Sequence, residues 1–259
     1  MASGHSHQGD IDAYAHLQSP IHQWDGRFKV VGLLALIIAF ASVENWRVLP
    51  LLIGPTVITY ATARLPWHAL RHRLAMPGYV IAGIIIFLPF VSGETTLFAL
   101  GPLTVRQEGV ALAALIAVRL FCIVTLAFVM FGTDTFIRTI AALRALKFPD
   151  IMADMVLLTY RYLNEIGSFF GQMQVAARIR GFQGGIFSLK NIGTLAALVG
   201  HLFIRSYEKS ERVYKAMVLR GYGVAEMRQD SFQATQADYW KTAVCLITAV
   251  LLLLGDRLL

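Results

Sequence analysis

Two arginines stand out for what their side chains can do and for where they fall. Ala176-Ala177-Arg178-Ile179-Arg180-Gly181-Phe182 and Ala216-Met217-Val218-Leu219-Arg220-Gly221-Tyr222 share one pattern: Ala, three residues, Arg, Gly, aromatic. A guanidinium is a permanent cation with a planar fork of donors, suited to a carboxylate or carbonyl acceptor on another surface. Ala176 and Arg180, like Ala216 and Arg220, are four apart and share a helix face. Gly181 and Gly221 then supply the left-handed residue that stops a helix. Each Arg therefore falls in a last turn, where the helix dipole favours a cation. Phe182 and Tyr222 add a flat anchor of the type that, with Arg, dominates interface hot spots. One Arg-Gly pair is an ordinary helix stop. Two copies with the same spacing and a matching aromatic point to a docking device.

Other candidate chemistry is thin. His5 and His7 carry imidazoles suited to nickel, cobalt or zinc. They sit on a polar tail without a third ligand or a fixed geometry and read as solvated. His68 and His72 are four apart, but Arg64, Arg71 and Arg73 surround them and they read as part of a basic anchor. His201 reads as a packed or interfacial histidine. The glycines from Gly181 to Gly185 lack the preceding strand and the following Lys-Ser/Thr of a phosphate loop. No zinc-protease helix, nucleophile elbow or metal-spaced Cys pair is present. No pair of intramembrane acids marks a proton relay. Cys122 and Cys245 lie in apolar runs and read as buried thiols. The sequence thus leads us to expect no catalytic residue, no metal site and no cofactor.

The elements that must position the two arginines follow from composition. Of 259 residues, 56% are hydrophobic and 15% charged, against about 25% charged in soluble domains. The mean hydropathy is +0.59, which is that of a membrane protein. The net charge of +7 suggests basic cytoplasmic loops; no basic cluster interleaves with aromatics as a nucleic-acid surface would. Apolar runs at residues 30–43, 48–63, 79–91, 109–132 and 239–254 predict about five transmembrane helices, the shorter ones completed by flanking residues. Trp24 reads as an interface anchor, and Arg27 and Lys29 as snorkelling cations. The basic stretch 64–73 reads as a short loop. The positive-inside rule places it in the cytoplasm, with the N-terminus on the same side. Residues 95–100 and 103–106 flank Gly101-Pro102 as a small hairpin.

Arg119 falls near the middle of the fourth run, a depth at which a charge faces a partner or water. An ion pathway is one reading. A bond to helix carbonyls, or to an acid such as Asp154 or Glu165, is the other and is preferred, because that run carries no second intramembrane charge. Thr133-Asp134 reads as an N-cap. Between residues 133 and 238 basic residues outnumber acids, which places this section in the cytoplasm. Helices are expected at 135–145, 151–180 and 189–220. The last two are apolar at one end and charged at the other, as helices slanting from the bilayer edge would be. The chain divides into a polar segment 1–26, a four-helix membrane region 27–132, a cytoplasmic region 133–238 and a final membrane helix 239–259.

These residues resemble the transmembrane T component of energy-coupling-factor transporters, the CbiQ/EcfT family, over nearly the whole chain. The resemblance rests on Ser19-Pro20-Ile21-His22-Gln23-Trp24-Asp25-Gly26-Arg27-Phe28-Lys29, with Gly26 where the family usually has Pro. It rests also on Leu143-Arg144-Ala145-Leu146-Lys147-Phe148-Pro149, on Leu158-Thr159-Tyr160-Arg161-Tyr162 and, most specifically, on Arg180-Gly181 and Arg220-Gly221. Ile179 and Leu219 stand where the family usually has Ala, Ser or Gly. The resemblance implies an all-α integral membrane protein with long slanting cytoplasmic coupling helices, in a bacterial or archaeal plasma membrane. It implies two ABC-type ATPase subunits as partners, docking against Ala176, Arg180, Gly181 and Phe182 and against Ala216, Arg220, Gly221 and Tyr222. A substrate-binding membrane subunit, the S component, would complete the assembly. Arg119 and Arg161 would be structural intramembrane charges. ATP hydrolysis would belong to the ATPases and substrate choice to another chain, and the polar tail leans toward the cobalt or nickel branch. The alternative is a stand-alone secondary permease or ion channel, which calls for a polar-lined path and a repeat across two membrane halves; neither is visible. An intramembrane enzyme, a third reading, lacks its catalytic residues.

Overall fold

A computed structural model describes residues 19–91, 96–100, 103–182, 192–223 and 234–258. His5, His7 and the Gly184-Gly185 part of the turn lie outside the described residues. The described chain is helical apart from one hairpin. In order, it forms α1 (Gly26–Ser42), α2 (Leu49–Ala63) after a 3-10 turn (Trp46–Val48), and α3 (Trp67–Val91). The antiparallel strands β1 (Thr96–Leu100) and β2 (Leu103–Arg106) follow, with Leu100 opposite Leu103. Then come α4 (Gln107–Gly132), α5 (Phe136–Ala145), α6 (Asp150–Ile179), α7 (Ile192–Leu219) and α8 (Gln236–Leu258). Stretches Trp67–Leu88, Glu108–Gly132 and Gln236–Arg257 are each long and apolar enough to cross a bilayer, so the chain is a multi-pass membrane protein. At 17 and 15 residues, α1 and α2 fall short of the ~20 that a 30 Å hydrocarbon core takes. The described residues form two compact units: Phe148–Asp230, which holds α6 and α7, and the rest.

In the larger unit α1 lies against α4, α5 and α8, while α2 and α3 pack on α4. Leu33, Leu36, Phe40, Leu126, Val129 and Leu252 are at most 1% exposed and form its centre. The segment before α1 folds into this core. His22 and Gln23 donate backbone N–H bonds to the Ser19 carbonyl, and Asp25 caps α1 by accepting the Arg27 N–H at 3.0 Å. Trp24 is buried, contrary to the interface anchor expected of it. The reason is a close approach: a Cβ on Gly32 would come within 3.3 Å of the Trp24 ring, so glycine lets the indole lie on α1.

Lys29 does not snorkel either. It is fully buried and donates to Asp134 at 2.7 Å and to Thr133 at 3.3 Å. The Asp134 carboxylate that it meets is itself buried in the core. Because Thr133 and Asp134 serve Lys29, the cap of α5 is Thr135, which accepts the Arg138 N–H at 3.4 Å.

Two other expectations are corrected. The basic stretch 64–73 is not a loop. Only Arg64, Leu65 and Pro66 connect α2 to α3, since Pro is tolerated at a helix start and nothing after it breaks the helix. Cys122 is buried but Cys245 is only half-buried, because α8 turns one flank outward. Helix α8 runs past the apolar run 239–254, within the 239–259 expected of the final membrane helix: Asp256, still helical, accepts the Glu44 and Asn45 N–H groups at 3.1 and 2.9 Å. Arg119 donates to the carbonyl of Ala41, one of the last four carbonyls of α1 that lack an intrahelical partner.

Candidate functional site

Helices α6 and α7, 30 and 28 residues long, make up the smaller unit. Tyr162, Glu165 and Phe169 share one face of α6 at spacings of three and four, and Arg205 and Lys209 share a face of α7. They meet at a crossing. Lys209 donates to Glu165 at 2.7 Å, the Arg205 guanidinium lies 3.7 Å from the centre of the Phe169 ring, and Lys209 lies 5.2 Å from that of Tyr162. Further along, the Tyr222 hydroxyl just past α7 donates to Asp154 in the second turn of α6 at 2.9 Å. The helices therefore run antiparallel, and the Arg220 end lies beside the start of α6. From Asp154 to Arg180, 26 residues at 1.5 Å each separate the two arginine ends by roughly 40 Å.

Both ends close with the same hydrogen bonds. At the first, Gly181 N–H donates to the Arg178 carbonyl at 3.0 Å and Phe182 N–H to Ala177 at 3.1 Å. At the second, Gly221 N–H donates to Val218 at 2.9 Å and Tyr222 N–H to Met217 at 3.0 Å. This is the Schellman closure, which puts the glycine in the left-handed region; φ is 89° at Gly181 and 83° at Gly221. Ala176, Arg180, Ala216 and Arg220 are exposed. Ile179 and Leu219, each just before its Arg, are 82% and 88% exposed. Each end thus offers a cation next to a bare aliphatic side chain.

The aromatics differ. Phe182 and Tyr222 are both half-buried, but only Tyr222 has a hydroxyl, and that hydroxyl is spent on Asp154. Arg161 is exposed on α6, 5.9 Å from the neighbouring Tyr162 ring. His201 is exposed beside Arg205, Glu208 and Arg212 rather than packed, since α7 has no buried residue at all. A groove of about 750 Å³ runs between the helices past Asp154, Leu158, Tyr162, Met217 and Tyr222. The crossing of Glu165 and Phe169 with Arg205 and Lys209 escaped the sequence reading, which offered Asp154 and Glu165 only as acids for Arg119; these two acids pair with Tyr222 and Lys209 instead. The signal of the crossing was the matched spacing of acid and aromatic on one helix with two cations on the other.

Chemically the unit is suited to holding other chains. Its apolar side chains face outward: Ala153 is the one buried residue among the described positions of α6, while Met155, Phe203 and Tyr207 are more than 60% exposed. Among the described residues no three of His, Cys, Asp or Glu gather as a metal site.

The sequence has relatives. A family model described as CbiQ, cobalt transport protein, matches residues 18–230. An uncharacterized protein of Methanocaldococcus jannaschii is 27% identical over 204 residues, which cover 76% of this chain and 74% of the relative. The energy-coupling factor transporter transmembrane protein EcfT of Heliobacterium modesticaldum is 23% identical over 228 residues, 84% of this chain and 85% of that one. A Bifidobacterium longum protein described as an ABC transporter ATP-binding protein is 34% identical over 150 residues, covering 58% of this chain but 18% of that protein. Helices that can cross a bilayer, paired Arg-Gly helix ends and a family match over most of the length lead to one conclusion: the chain belongs to the CbiQ/EcfT family of transporter membrane proteins.

Proposed function

We propose that the chain is the energy-coupling membrane subunit of an ATP-driven importer, and that its two Arg-Gly helix ends each dock in a groove on one of two cytoplasmic ABC-type ATPase subunits. Their ATP-driven motion passes through α6 and α7 to a separate substrate-binding membrane subunit. The chain itself performs no chemistry. The observation that carries the reading is the pair of helix ends, closed by identical hydrogen bonds and held roughly 40 Å apart, each with an exposed Arg and a bare aliphatic neighbour. Two equal sites that far apart suit two equal partners. The Bifidobacterium longum relative adds support, since a stretch like this chain occurs there in a protein named for ATP binding. The exposed apolar faces of α6 and α7 suit the substrate-binding subunit and lipid. The N-terminus is cytoplasmic in this reading, as are both arginine ends. The cargo is a cobalt or nickel ion, in keeping with the family description, and is selected by the other membrane subunit.

Truncating an interfacial Arg whose partner stays buried costs about 2–5 kcal/mol. Arg180→Ala and Arg220→Ala are each expected to weaken co-purification of the ATPases in mild detergent and to lower metal uptake by cells, the double change more than either. Normal recovery of the ATPases with normal uptake in the double variant refutes the proposal.

A further inference from the structure

The two arginine ends are built alike but tethered differently. At the Arg220 end two glycines in the left-handed region, Gly221 at φ 83° and Gly223 at φ 87°, bracket Tyr222. The Tyr222 side chain lines the groove, where its hydroxyl donates to Asp154 at 2.9 Å, 68 positions earlier in the chain. At the other end Phe182 has no hydroxyl, and Gln183 stands where the second glycine would be. Asp154 lies four residues into α6, which the chain enters directly from α5 through Leu146, Lys147, Phe148 and Pro149.

We infer that the Tyr222–Asp154 hydrogen bond is a force-bearing link that makes the Arg220 end move with the start of α6, while among the described residues no such tie holds the Arg180 end. This rests on the proposed docking of both ends to ATPases. A pull on Arg220 is then delivered at the first turns of α6, next to the α5 connection. A pull on Arg180 enters at the far end of α6 and travels its whole length. The two ATPases are coupled unequally even though their docking sites match. Tyr222 is a positioning residue: its hydroxyl is occupied inside the chain and leaves Arg220 and Leu219 to meet the partner.

The test uses the whole transporter in proteoliposomes, with ATPase recovery, ATP hydrolysis and cargo uptake measured separately. Tyr222→Phe keeps the ring and removes only the donor. The expected result is full recovery of both ATPases, near-normal hydrolysis and roughly tenfold less uptake per ATP, the size of effect when a charged acceptor loses its donor. Asp154→Asn, which keeps an acceptor oxygen, is expected to retain most of the uptake, whereas Asp154→Ala behaves like Tyr222→Phe. Ser168→Ala, which removes a hydroxyl that donates within α6 to the Glu165 carbonyl, is expected to leave uptake per ATP within twofold of wild type. Unchanged uptake per ATP in Tyr222→Phe overturns the link while leaving the docking proposal standing. Loss of ATPase recovery in Tyr222→Phe also overturns it, because the hydroxyl would then belong to the docking surface. Failure of the docking proposal itself is read from Arg220→Ala, not from these variants.

Discussion

Removing one half of the Lys29–Asp134 pair strands the other charge in the core, because Lys29 is fully buried and Asp134 nearly so. Lys29→Met is expected to cost about 3–5 kcal/mol, seen as a lowered thermal midpoint in detergent, while Lys29→Met with Asp134→Leu recovers much of it. A double variant no more stable than the single one contradicts the pairing. Gly181 and Gly221 make a second prediction at this scale. Nothing lies within 4 Å of a Cβ at either, so Ala there is opposed by the backbone alone, at about 1 kcal/mol. Gly221→Ala should fray the helix end and weaken ATPase recovery less than Arg220→Ala does; equal or greater weakening would shift the emphasis from the guanidinium to the turn. These residues also show what a sequence makes legible. Arg-Gly is a local stop signal, and both left-handed glycines stand where it puts them. Lys29 and Asp134 are 105 positions apart, and nothing near Lys29 says that a carboxylate awaits it. Trp24 was misread for the same reason: the small residue that admits it, Gly32, is legible only once the segment before α1 is seen to fold back.

Helices were readable as apolar runs, and their ends less so. The start of α3 was misplaced because the basic composition of residues 64–73 resembles a loop, although no residue from Trp67 to Arg73 opposes a helix. Helix α8 starts at Gln236, before the apolar run, and its last turn is held from outside itself, by backbone N–H groups of Glu44 and Asn45 on the Asp256 carboxylate. Asp256→Ala is therefore expected to cost about 1–3 kcal/mol, read as a lower thermal midpoint; an unchanged midpoint would show that water replaces the carboxylate. The crossing of α6 and α7 behaves differently. Lys209 and Glu165 are both well exposed, and an exposed pair contributes at most about 1 kcal/mol. Lys209→Ala should leave stability nearly unchanged, and a large loss would mean that the helix pair rests on that contact.

At the scale of the whole molecule, the larger unit has a packed core and the α6–α7 pair has almost none. A helix pair with bare Met, Phe and Ile side chains presents apolar surface that the proposed partner subunits and lipid would cover. Orientation in the membrane is open to a direct check. With Cys122 and Cys245 replaced, a single Cys at the exposed position of His68 should react with an impermeant maleimide only when the cytoplasmic face is open; labelling on intact cells contradicts the proposed sidedness. The central claim, that both arginine ends face ATPases, is tested most directly by a photo-crosslinking amino acid placed at Ile179 or at Leu219 in the assembled transporter. The account predicts an adduct with an ATP-binding subunit from each position. Adducts only with lipid, or only within this chain, would contradict it.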